Sequence, residues 1–144
     1  MPAVSTIGYE RATLAEVIDR LRRGGVDIVL DVRAVAASRR PGFSKTILAA
    51  SLEDAGIAYR HLRTLGTPKS GREAARAGKT WLMREIFTAH LEEPAAQAGL
   101  AEAADIAASR PAALLCYEAE AAKCHRAIVA LRIQSANGGD IIDL

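Results

Sequence analysis

The chain has 144 residues, half of them hydrophobic and a quarter charged, with a formal net charge of +2. That length fits one domain with its own core, and the even spread of apolar residues excludes long disordered tracts. Two cysteines are too few for the disulfide scaffold of a small secreted domain, no apolar run reaches the ~20 residues of a membrane helix, and Met1–Ile7 lacks the pattern of a signal peptide. The expectation is a cytoplasmic protein with no membrane partner, in which Cys116 and Cys124 are free thiols.

In chain order, Val4–Ile7 is a short apolar run that predicts a buried strand ending at Gly8. Thr13 and Glu16 have capping-box spacing, and Leu14, Val17, Ile18 and Leu21 follow at helical intervals until Gly24-Gly25. Val26–Val32 predicts a second strand. The loop from Arg33 to Phe43 leads to a helix that Ser44 can cap and that carries Ile47, Leu48 and Leu52. Ile57–Leu62 predicts a third strand. Leu65–Lys79 is rich in turn formers around one short helix near Arg72–Ala77. Trp81–Leu91 predicts a helix with Leu82, Ile86 and Leu91 inward. Pro94 opens an alanine-rich helix that cannot continue past Pro111. Ala112–Cys116 predicts a fourth strand. A helix starting near Cys124 presents Ala127, Ile128 and Leu131 on one face, and Ile141-Ile142 forms a last short strand. The strands are apolar without alternation, so helices should cover both faces of the sheet. The fold class expected is α/β: a single-domain, Rossmann-like three-layer sandwich with a mostly parallel sheet of about five strands.

Charge is unevenly placed. Between Val32 and Arg72 stand eight basic residues against only Glu53 and Asp54, a local charge of +6. Such a segment suits an anionic partner, although each side chain taken singly also fits a solvated surface.

Ligands of open parallel sheets bind outside the carboxyl ends of the strands. The residues there are Tyr9 after the first strand; Asp31 and Arg33, then Ser38, Arg39 and Arg40, after the second; His61 near the end of the third; and Cys116 and Glu118 after the fourth, followed by Cys124, His125 and Arg126. A cysteine at a helix N-terminus beside His and Arg is a candidate nucleophile, and Arg126 offers a fork for phosphate or carboxylate. Glu118 is a candidate general base or arginine partner. Asp31 is placed to cap the loop or to pair with Arg33. The plainer readings are a small cysteine packed under the helix, a solvated Glu118, a structural His61 and a packing Tyr9. Cys116, at the end of an apolar strand, reads as a buried structural cysteine.

A zinc site is not expected from the spacing, because Cys116 stands alone and Cys124 adjoins His125 instead of forming short ligand pairs. No Walker loop, Gly-x-Gly-x-x-Gly or Gly-x-Ser-x-Gly is present, so no cofactor is implied. Leu114–Ile133 resembles the anion cradles of rhodaneses and cysteine phosphatases. Their cysteine-to-arginine spacing is not met, since Cys116 and Arg126 are ten positions apart and Cys124 precedes Arg126 by two. That resemblance extends to anion binding and not to their reaction.

Taken together and in order, Thr6-Ile7-Gly8-Tyr9, Asp31-Val32-Arg33, Ser38-Arg39-Arg40, Leu65-Gly66-Thr67-Pro68 and Cys116-x-Glu118 followed by Cys124-His125-Arg126 resemble the domain-of-unknown-function 488 family. The resemblance implies a compact α/β fold and a shared site at these loops. It implies no activity. Tyr9-Glu10 stands where many members carry histidine and a small polar residue.

Three functions compete at this level. The first is an enzyme acting on a phosphorylated or nucleotide-like small molecule, with Arg33, Arg39 and Arg126 as anion binders and Glu118, Cys124 and His125 as reacting groups. The second is a nucleic-acid binding or processing module using the basic segment. The third is a non-catalytic adaptor docking through Leu65–Leu91, with Trp81 as anchor.

Overall fold

The computed structural model describes residues 2–144. Five strands, β1 (Val4–Gly8), β2 (Ile28–Asp31), β3 (Ala58–His61), β4 (Ala112–Cys116) and β5 (Ile141–Asp143), form one sheet in the order β3-β2-β4-β1-β5. All the pairings are parallel. The six helices are α1 (Leu14–Arg23), α2 (Lys45–Asp54), α3 (Lys69–Arg76), α4 (Thr80–His90), α5 (Pro94–Ser109) and α6 (Arg126–Asn137). None is long and apolar enough to cross a membrane.

Two apolar clusters make this a three-layer α/β sandwich. Val17 and Leu21 of α1 and Leu48 and Leu52 of α2 pack with Ile7, Val29, Ala113 and Leu115 on one face of the sheet. Phe87 of α4, Ala103 of α5 and Val129 of α6 pack with Leu30, Leu114 and Cys116 on the other. Alternate residues of each strand therefore serve opposite layers, which is why the central β4 is apolar throughout. The capping box of α1 forms as the sequence predicts: Glu16 N–H donates to Thr13 Oγ1 at 3.1 Å, and Thr13 N–H donates to Glu16 Oε1 at 3.4 Å.

Two details differ from the sequence reading. The last helix begins at Arg126, and it buries Arg126, Val129, Ala130 and Ile133 while Leu131 is exposed. The inward face is the one led by the buried Arg126, with Ala127 and Ile128 half-buried beside it. In α4, Met83 and Phe87 are buried and Leu82 and Ile86 are only half-buried. Trp81 lies 63% exposed, which is compatible with the anchor the sequence suggested.

The strand order positions the site. β4 sits between β2 and β1, whereas the doubly wound dinucleotide-binding fold runs 3-2-1-4-5-6. The chain leaves β1 and β2 toward α1 and α2 on one face, and leaves β4 toward α6 on the other. Loops that part to opposite faces open a crevice between them, here at the carboxyl end of β4. Register brings the strand ends level, with Gly8 beside Cys116 and Asp31 beside both Leu115 and His61.

Candidate functional site

The segment after β4 runs alongside the segment after β1. Tyr9 N–H donates to the Cys116 carbonyl, Glu10 N–H to the Tyr117 carbonyl, and Ala119 N–H to the Glu10 carboxylate. This close approach requires glycine at position 8: a Cβ there would lie 1.8 Å from the Glu118 carbonyl oxygen. Gly66 has the same role under the loop after β2, where a Cβ would lie 2.1 Å from the Ala34 nitrogen. Arg126, fully buried at the start of α6, donates from its guanidinium to the Glu118 and Ala119 carbonyls. Its Nε–H has no partner. The position of Glu118 is thus set by a glycine on one side and a buried arginine on the other.

A cleft of about 340 Å³ opens over this edge, a volume suited to a small molecule. It is lined by Cys116, Glu118 and His125, by Tyr9 and Arg33, and by the cationic Arg72, Arg76 and Lys123. Arg72 and Arg76 are four apart on α3 and therefore share one helix face. Arg72 is held by donation to the Thr67 carbonyl at 2.9 Å, and Lys123 is paired with Glu120 at 3.6 Å.

His125 is the most constrained group of the floor. Its Nε2 lies 2.7 Å from the Val32 carbonyl, and Phe87 meets its ring edge-on at 4.9 Å between centroids. A carbonyl only accepts, so Nε2 carries a proton and Nδ1 is the nitrogen presented to the sulfurs. Nδ1 is 3.7 Å from Cys124 Sγ and 3.8 Å from Cys116 Sγ. The three atoms lie within 4.8 Å of one another. Glu118 Oε2 is 3.8 Å from Cys116 Sγ.

The electrostatics divide the two thiols. Burial opposes ionisation of Cys124, but a hydrogen bond from Cys116 and the charges of His125 and Arg126 bring its pKa well below the usual thiol range. Cys116, donating to Cys124 and buried, is pushed well above that range. Burial also opposes protonation of His125, yet the neighbouring Cys124 thiolate raises its pKa. Burial, reinforced by the Cys124 charge, pushes Glu118 up to about 7. The cluster therefore sets a thiol of lowered pKa and an imidazole of raised pKa beside a thiol of raised pKa and a carboxyl group able to exchange a proton near neutrality.

The other sequence candidates have different places. Arg33 lines the cleft, but its guanidinium is largely engaged. Nε and Nη2 donate to the buried Asp31 carboxylate at 2.9 and 2.7 Å, and Nη1 donates to Tyr9 Oη and the Phe43 carbonyl. Tyr9 stacks on Phe43 at 4.3 Å. His61 Nε2 lies 2.8 Å from the Arg33 carbonyl, which makes His61 a brace behind the loop. Ser38 and Ser44 close the 38–44 loop on each other, Arg40 donates to the Ala12 carbonyl, and Arg39 is exposed. Ser38, Arg39 and Arg40 do not line the cleft. The basic run is also dispersed: Arg60, for example, pairs with Glu102 at 2.6 Å on the exposed edge of the sheet. Sequence reasoning missed Arg76 and Lys123, and it read Cys116, although at the same sheet edge, as a structural cysteine. The i, i+4 spacing of Arg72 and Arg76, and the adjacency of Lys123 to Cys124, were the available signals.

A parallel three-layer sandwich with a polar cleft at the carboxyl end of its central strand defines an α/β protein whose site is built from strand-end loops. The chain belongs to the family described as Domain of unknown function DUF488, whose model matches residues 13–133. No curated protein and no solved structure matches the chain.

Proposed function

We propose that the cleft binds a small phosphorylated or nucleotide-like anion and that the chain is an enzyme acting on it. One observation carries this reading: Arg72, Arg76 and Lys123 line the same cleft as Cys116, His125 and Glu118. Cations on the rim hold the anion, and the floor supplies groups that accept, donate or ligate. The concave shape favours a small ligand over a polymer, and the dispersal of the basic run gives no continuous track for a nucleic-acid backbone.

Calorimetric titration with inorganic pyrophosphate and a nucleoside monophosphate tests the proposal. Arg76 and Lys123 are exposed, so their replacement by alanine leaves the fold unaffected. The wild-type chain binds at low salt, and the Arg76→Ala/Lys123→Ala double variant binds about tenfold or more weaker, a loss of ~1.4 kcal/mol. Absence of binding by the wild type, or equal binding by the double variant, refutes the assignment.

A further inference from the structure

We propose that Cys116, Cys124 and His125 form a divalent-metal site, best suited to Zn²⁺, whose fourth position opens into the cleft. The nitrogen–sulfur separations suit this ion. Tetrahedral zinc with Zn–S of about 2.3 Å and Zn–N of about 2.0 Å places sulfur and nitrogen about 3.5 Å apart. The observed Nδ1–Sγ distances are 3.7 and 3.8 Å. The three donor atoms already converge, and they come from β4 and from the turn before α6.

The chemistry of the donors agrees with the geometry. Two sulfurs and an imidazole select zinc over magnesium or calcium. A metal-ligating histidine characteristically gives its other ring N–H to a carbonyl or carboxylate, which fixes its tautomer and aim. His125 does so with the Val32 carbonyl, so its Nδ1 is committed to the sulfurs. Three protein ligands and one open position are the pattern of catalytic zinc, whereas structural zinc closes all four. Cys116 and His125 both line the cleft, which makes the cleft the approach to that position. Glu118 Oε2 lies 3.8 Å from Cys116 Sγ, which keeps a carboxyl group close to the ligands. Cys124-His125 adjacency obscured the site in the sequence, because zinc spacings are normally read as separated pairs.

The metal assignment stands on these ligands alone. Only the identity of the fourth ligand, an oxygen of the bound anion, rests on the anion-binding reading. The test is titration of the chelator-treated full chain with Co²⁺ and then Zn²⁺, followed by absorption spectroscopy and metal analysis. One Co²⁺ per chain is expected, with the thiolate-to-cobalt charge-transfer bands of two sulfurs, and Zn²⁺ displaces it. Cys116→Ser and Cys124→Ser each lose about half the charge-transfer intensity and weaken Zn²⁺ by ~100-fold or more, beyond the 10–100-fold cost of a supporting residue. Circular dichroism checks that each variant is folded. Alkylation of the wild type covers a variant that fails to fold: bound Zn²⁺ protects both cysteines together. Failure to retain Co²⁺ or Zn²⁺ at a one-to-one ratio, or cobalt spectra without thiolate bands, overturns the site. Pyrophosphate added to the Co²⁺ form separates the two proposals. A shifted visible spectrum places the anion on the metal. Metal binding without any response to pyrophosphate removes the anion reading and leaves the metal site standing.

Discussion

His125 gives its Nε2 proton to the Val32 carbonyl at 2.7 Å, and this one bond determines which face of the ring the two cysteines meet. Val32 follows β2 and His125 precedes α6, so the bond ties the second strand to the helix that leaves the fourth. Phe87 of α4 then holds the ring edge-on. Phe87→Leu keeps apolar bulk but removes that contact. The expected outcome is a loss of about 1 kcal/mol in urea unfolding, together with a weakening of Zn²⁺ by roughly tenfold. A stability loss with unchanged metal affinity would show that Phe87 only fills space.

Asp31 and Arg33 form a fully buried, two-pronged ion pair, with the second carboxylate oxygen also accepting from Tyr59 at 2.5 Å. Removing one charge leaves the other uncompensated in the interior. Asp31→Asn should therefore cost about 3–5 kcal/mol. The Asp31→Asn/Arg33→Met double variant should lose clearly less than the sum of the two single changes. Additive losses in a double-mutant cycle would mean that the pair is not coupled.

The same network predicts an alkaline effect. Burial first, and then donation to Asp31, raise the Tyr59 phenol above its ordinary pKa. A phenol that holds its proton more tightly in the folded chain contributes stability that is complete below pH ~10. That contribution is lost as pH rises through the folded value. Urea midpoints measured from pH 8 upward should fall above pH ~10 in the wild type and fall less steeply in Tyr59→Phe. Parallel curves for the two proteins would contradict this assignment.

Gly8→Ala places a methyl 1.8 Å from the Glu118 carbonyl oxygen, and that oxygen belongs to backbone held by Arg126. The loop must move, so Cys116 and Glu118 shift with it. The expected result is a folded but destabilised chain, by about 2–4 kcal/mol, with metal and pyrophosphate affinity both reduced. Retention of both affinities would show that the loop tolerates displacement without disturbing the site.

Much of the fold was legible because unalternating apolar runs of four or five residues mark strands covered on both faces. Thr13 and Glu16 declared the first helix through their spacing, and Ala112–Cys116 was read with its observed bounds. The inward face of α6 was misread because a buried arginine is not expected to lead an apolar face, and Arg126 does so by holding two carbonyls. Of the site, the loops were legible and the partnerships were not. Arg33 looked like an anion binder, but the pairing with Asp31 that the sequence also offered engages Nε and Nη2, and Tyr9 and Phe43, which the sequence does not place there, engage Nη1. Cys116 and Cys124 meet only because the chain after β4 doubles back before α6, a path set by the Gly8 and Arg126 contacts that no periodicity encodes.

The central claim is that the cationic rim and the cysteine–histidine floor are one site. The rate of iodoacetamide alkylation of Cys116 and Cys124 in the metal-free chain, with and without saturating pyrophosphate, tests it most directly. A shared site predicts that pyrophosphate slows alkylation, and that Arg76→Ala/Lys123→Ala loses this protection. Pyrophosphate that binds while leaving both rates unchanged would contradict the account.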